Sequence, residues 1–159
     1  MVRYSTRSIH DLYSDAYEIE AGSQSPRIQN LHDRGEGCKV SLGVTVPEQT
    51  KHIFVLYNPG GEVKTYNLSD RREAIAGSIQ EHETKYASMK NYMACDEKLA
   101  RNLRKFIEAY AVKAGADFTD CVNDFGQVNT SFYPSPRMKD LPDLDCYLEA
   151  QESFSVMQG

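Results

Sequence analysis

The stretch HIFVLYNPGGEVKTYNLSDRREAIAGSIQEHETKYASMKNYM, His52 to Met93, decides the expected fold. It opens on the longest apolar run of the chain, Ile53-Phe54-Val55-Leu56-Tyr57. That run is β-branched and aromatic, and its length suits a buried strand better than a helix. Asn58-Pro59-Gly60-Gly61 supplies turn chemistry, because proline presets a negative φ and glycine accepts a positive one. Glu62-Val63-Lys64-Thr65-Tyr66 then alternates, as a half-exposed returning strand does. A hairpin over about 52–57 and 62–67 follows. Ser69 or Asp70 can cap a helix, with Glu73 at capping-box distance from Asp70. Ile75, Ile79, His82, Tyr86, Met89 and Met93 share one face, which predicts a helix over about 70–93.

Upstream, Val40, Leu42, Val44 and Val46 alternate and predict a strand over about 39–46. Three consecutive strands make an antiparallel meander the expected sheet. Downstream, Leu99, Leu103, Phe106, Ile107, Tyr110 and Ala114 line one face of a helix over about 96–114, closed by Lys113 and Gly115. The expected class is therefore α+β: a small meander covered by two long helices, with peripheral terminal helices. Ser8 can cap the first of these, whose face is Ile9, Leu12, Tyr13, Ala16 and Tyr17. The last opens at Pro142, with Leu144, Tyr147 and Leu148 expected inward. One domain is expected over 1–159. Its expected irregular parts are a long loop at 22–37 with at most a helical turn at Ile28–Leu31, an extended connector at 134–140, and a tail at 153–159.

Composition excludes several classes. The formal net charge is −5, which argues against general nucleic-acid binding, since phosphates require clustered cations. No apolar run approaches the roughly 20 residues of a membrane span. The basic N-terminus has no apolar segment behind it, so no signal peptide is expected and the expected compartment is the cytoplasm. Cys38, Cys95, Cys121 and Cys146 show no paired spacing, so free thiols are expected, with no metal and no cofactor. Charge is uneven: residues 116–159 hold eight acidic and two basic side chains, residues 38–115 nine acidic and twelve basic.

Two groups are candidate sites. Arg71 and Arg72 stand in a helix first turn, where cations oppose the dipole but free N–H groups already attract anions. With Arg101, Arg104 and Lys105 they could hold a phosphate or nucleotide. Asp140, Asp143, Asp145 and Glu149 form an acidic C-terminal group suited to a protein partner. His82, inside an apolar stripe, reads as a buried, hydrogen-bonded histidine. No nucleophile–base spacing indicates catalysis. Gly61 followed by Arg72-Glu73 resembles the start of the pyrophosphohydrolase box of Nudix enzymes. Ala76 and Gly77 stand where its metal-binding glutamates belong, so that activity is not expected.

The functional expectation is a small, acidic, non-enzymatic binding protein that occludes a partner, as phage-type inhibitors of nucleic-acid-handling systems do. An anion- or nucleotide-binding protein using the arginines is the alternative, and a self-assembling structural subunit is the third reading.

Overall fold

The computed structural model describes residues 7–59, 62–135 and 140–158, with backbone only at 158. Seven α-helices and five strands among the described residues form an α+β fold. The chain divides into two compact units, Met1–Gly43 with Leu56–Gln80 and Asn129–Gly159, and Val44–Val55 with Glu81–Val128.

The first unit begins with α1, Ile9–Ala21, capped by Ser8, whose Oγ accepts the Asp11 N–H at 3.1 Å. Leu12, Tyr13, Ala16 and Tyr17 enter the core with Ile28, Val40, Leu42, Tyr66, Phe132, Tyr133 and Val156. Helix α2 spans Pro26–Asp33 and β1 spans Glu36–Cys38. Strand β4, Thr65–Asn67, pairs antiparallel with β1, Gly37 facing Tyr66. A Cβ on Gly37 would lie 2.2 Å from Tyr66 Cζ, so a larger residue there must displace the buried Tyr66 ring. A 3₁₀ turn at Leu68–Asp70 leads into α3, Arg71–Lys85, and α7 closes the chain at Asp143–Gln158.

The second unit is built on α5, Lys98–Ala114, whose Ala100, Leu103, Ile107 and Ala111 are buried. The helix ends at Gly115, which takes a left-handed φ of 64°, and the Ala116 N–H returns to the Ala111 carbonyl at 3.0 Å. Met89 and Met93 from α4, Met89–Met93, and Phe125 join this core. Strands β2 (Gly43–Val44), β5 (Phe125–Asn129) and β3 (His52–Leu56) lie in that spatial order. Phe125 stacks on Phe54 at 5.3 Å and meets Tyr110 edge-on at 5.3 Å. A short helix α6, Phe118–Cys121, precedes β5. His82 is buried and its Nε2 lies 2.8 Å from Thr45 Oγ1, and burial drives its pKa down to about 4.

Several local expectations are corrected. The meander does not form: β4 pairs with β1, whereas β3 pairs with β5. The Lys51 N–H bonds to the Asp124 carbonyl and the Thr130 N–H to the Leu56 carbonyl, so both numbers rise together and the pair runs parallel. Phe54 of β3 stacks on Phe125 of β5, and Gly60 and Gly61 of the expected turn lie outside the described residues. The strand expected at 39–46 is interrupted because Gly43 adopts φ 93°. The long helix breaks after Lys85, where Ser88 is extended and caps α4 by accepting the Asn91 N–H. Segment 22–37 holds α2, started by Pro26 and anchored by buried Ile28 and Leu31. Most of the expected tail continues α7, and residues 136–139 of the expected connector lie outside the described residues.

Candidate functional site

Helix α7 is inside out. Asp145, Glu149, Glu152, Ser153 and Val156, offset by four, three, one and three residues, share its inward face. Leu144, Tyr147, Gln151 and Phe154, offset by three, four and three, share the outward face. Their large apolar side chains are 57%, 65% and 55% exposed at Leu144, Tyr147 and Phe154. The reverse orientation was expected for Leu144 and Tyr147.

The polar residues that turn α7 this way stand in the α1–α2 connection and the start of α2. Glu149 is fully buried and accepts from Arg27 Nε at 2.7 Å, Arg27 Nη2 at 2.5 Å and Ser25 Oγ at 2.7 Å. A bidentate, planar match of this kind is among the strongest side-chain contacts. Arg27 gives its remaining Nη1 donor to the Pro134 carbonyl at 3.0 Å. Burial works against its charge, but Glu149 outweighs that and holds the guanidinium pKa above its ordinary value. Glu152 accepts from Ser23 Oγ at 2.5 Å and the Gln24 N–H at 3.1 Å, and burial raises its pKa. Asp145 lies 3.5 Å from Ser25 Oγ. Ser153 Oγ donates to the Glu149 carbonyl and accepts the Phe132 N–H.

A second buried carboxylate holds the other side of α2. Glu20 is fully buried and lies 2.8 Å from the Cys38 N–H, His32 Nε2 and the Tyr66 hydroxyl. Its neighbourhood is closed to thiolate chemistry, since burial pushes the Cys38 thiol up to about 12. These two carboxylate hubs are bound by the chain's own donors and serve to lock α1, α2, β1, β4 and α7 together.

The expected site residues fall as follows. Asp145 and Glu149 point inward, while Asp140 and Asp143 are exposed. Arg71 Nη2 donates to the Tyr17 carbonyl at 2.6 Å, and Arg72 is exposed. Arg101 pairs with Asp96 at 2.7 Å in solvent, Arg104 is half-buried and Lys105 exposed on α5. Arg71 and Arg72 belong to the first unit, and the three cations of α5 to the second. A cleft of about 400 Å³ beside the start of α3 is lined by Lys39, Thr65, Tyr66, Asn67, Asp70 and Glu73, and neither Arg71 nor Arg72 lines it. Among the described residues no group of three His, Cys, Asp or Glu side chains is arranged to hold a metal ion, and no helix is long and apolar enough to cross a membrane.

Sequence reading missed Glu20, Ser23, Ser25 and Arg27 as partners. The signal was present in part: Asp145, Glu149 and Glu152 already fall on one helical face, as do Leu144, Tyr147 and Phe154. A helical wheel separates the two faces but does not say which is inward. No protein-family model matches the chain, and neither a curated protein nor a solved structure is similar to it.

Proposed function

We propose that this chain is a non-enzymatic binding protein that docks on a protein partner through the outward stripe of α7 and occludes the surface it covers. One observation carries the reading: Leu144, Tyr147 and Phe154 stand in solvent on the same helix that buries Asp145 and Glu149. Leaving these apolar side chains more than half in water gives up about 1–2 kcal/mol each relative to full burial. A partner that covers the stripe recovers that burial, and aligned exposed apolar residues mark contact surfaces. Contact area carries the reading rather than imitation of nucleic-acid charge, because Asp140 and Asp143 are the two acids of the expected four that face solvent. The anion-binding alternative has less support, since Arg71 and Arg72 do not line the cleft beside α3 and Arg101 pairs with Asp96.

The test is site-specific photocrosslinking in the native cells. A benzophenone side chain at Tyr147 is expected to capture a protein that the same group at exposed Asp33 does not capture. The adduct is expected to disappear when Leu144 and Phe154 are both changed to Ser. Equal labelling at the two positions defeats the proposal.

A further inference from the structure

Helix α7 rests on polar contacts whose charges do not balance. Of its apolar side chains only Val156 joins the buried core cluster of the first unit. The rest of the inward face is Asp145, Glu149, Glu152 and Ser153. A carboxylate that leaves water needs a cation or a full set of donors. Glu149 has both: Arg27 turns Nε and Nη2 towards it, and Ser25 gives its hydroxyl. Arg27 is fully engaged, because its Nη1 donates to the Pro134 carbonyl. His32 of α2 stands beside Glu20. Among the described residues Glu152 pairs with no cation.

What faces Glu152 is neutral or acidic on every side. The α1–α2 connection offers the Ser23 hydroxyl at 2.5 Å and the Gln24 N–H at 3.1 Å. Its own helix presents Glu149, and α1 presents Glu20. The buried Tyr133 hydroxyl lies beside Ser23 and Glu152 but forms no hydrogen bond of normal geometry there. Burial, and then the two neighbouring carboxylates, oppose a charge on Glu152, and the two donors offset only part of this. A neutral Glu152 keeps an oxygen for those donors and gains an O–H to offer. A carboxyl held above its ordinary pKa supports the folded arrangement below the ordinary carboxyl range and withdraws that support as pH rises through the raised value.

We infer that α7 is a proton-operated latch: a proton on Glu152 tightens the C-terminal half of the helix on the α1–α2 connection, and its loss as pH rises loosens that half. The Arg27–Glu149 pair, one turn nearer the helix start, keeps α7 in place in both states. The latch stands on the inward face alone, so it holds whether or not a partner covers the outward one.

Hydrogen exchange on the full chain tests the inference. After correction for the intrinsic pH dependence of exchange, the amides of residues 149–157 should be at least about threefold better protected at about pH 5 than at about pH 7.5. In Glu152→Gln, whose side chain is neutral at every pH, those amides should show the higher protection at both values. The amides of α5, whose buried face holds no carboxylate, should gain none on acidification. NMR titration of the Glu152 carboxyl in the unsubstituted chain reads the same group directly, and its midpoint should lie above the ordinary value of 4.5. Equal or weaker protection at the lower pH overturns the inference, as does a pH dependence that persists unchanged in Glu152→Gln. A midpoint at or below the ordinary value overturns it too. A gain in protection shared by α5 overturns it in favour of a stabilisation of the whole chain.

Discussion

Helices α5 and α7 are nearly equal in length, 17 and 16 residues, and each belongs to a different compact unit. Both leave large apolar side chains in solvent, but they differ in what they bury. In α5 the apolar residues Ala100, Leu103, Ile107 and Ala111 go in and no charged residue does, while Lys98, Arg101, Lys105 and Glu108 stay out together with Val112 and with Phe106, which was expected inward. In α7 two carboxylates go in, and leucine, tyrosine and phenylalanine stay out. Hydrophobic burial is non-directional, and in the first case no buried carboxylate competes with it. A buried carboxylate is tolerated only where donors are already placed for it, which makes the second case depend on residues more than a hundred positions away. The contrast separates a helix whose orientation is its own from one whose orientation is imposed.

That difference is most sharply broken by removing one member of the imposed pair. Glu149→Ala leaves the half-buried Arg27 without its carboxylate, and a loss of up to about 3 kcal/mol is expected in urea unfolding of the whole chain. Arg27→Ala should cost a similar amount. Replacing both, with Arg27→Met/Glu149→Leu, should restore most of the loss, because a packed apolar pair avoids the desolvation penalty. If the double variant is as unstable as either single one, the pair is not the unit that orients α7. On α5 the comparable change is Leu103→Ala, a cavity in an apolar core, with an expected cost of about 2–4 kcal/mol. No second substitution of a charged residue should rescue it.

The same contrast explains what was legible in the sequence. The α+β class, α1 with its Ser8 cap, and α5 with its Gly115 stop follow from periodicity and capping, which are local. The Val40–Leu42–Val44 alternation correctly marked buried residues, although Gly43 breaks the strand that was to carry them. Strand pairing was not legible, because β3 finds β5 some 70 residues away and local turn residues at 58–61 point to a nearer partner. The outward face of α7 was read as inward for a related reason. Its two faces are clear in the spacing, but Ser23, Ser25 and Arg27 decide between them, and they stand at the other end of the chain.

A pH titration sharpens the comparison in the second unit. His82 is held neutral by burial, with its folded pKa near 4 against an ordinary value of 6.5. Below pH 6.5 the unfolded chain binds a proton that the folded chain refuses, so stability falls as pH drops from about 6.5 towards 4 and is fully present above 7. The expected loss over that window is about 3 kcal/mol beyond that of His82→Asn, read from urea midpoints at pH 7, 5 and 4. Parallel loss in the two proteins would show that His82 gains a proton partner on folding or stays accessible to solvent.

The smallest expected effect is the most informative about α7. Tyr147→Ser/Phe154→Ser changes two large side chains that are 65% and 55% exposed, so the free chain loses little packing. Surface substitutions of this kind usually shift stability by no more than about 0.5 kcal/mol. Removing exposed apolar area should also raise solubility rather than lower it. The same substitutions at positions that hold a fold together would cost several kcal/mol each. A thermal midpoint that stays within about 2 °C therefore fits a stripe whose value lies outside the free molecule, consistent with a seam kept for a partner. A drop of 10 °C or more would mean that Tyr147 and Phe154 support the first unit after all, and α7 would then differ from α5 only in what it buries.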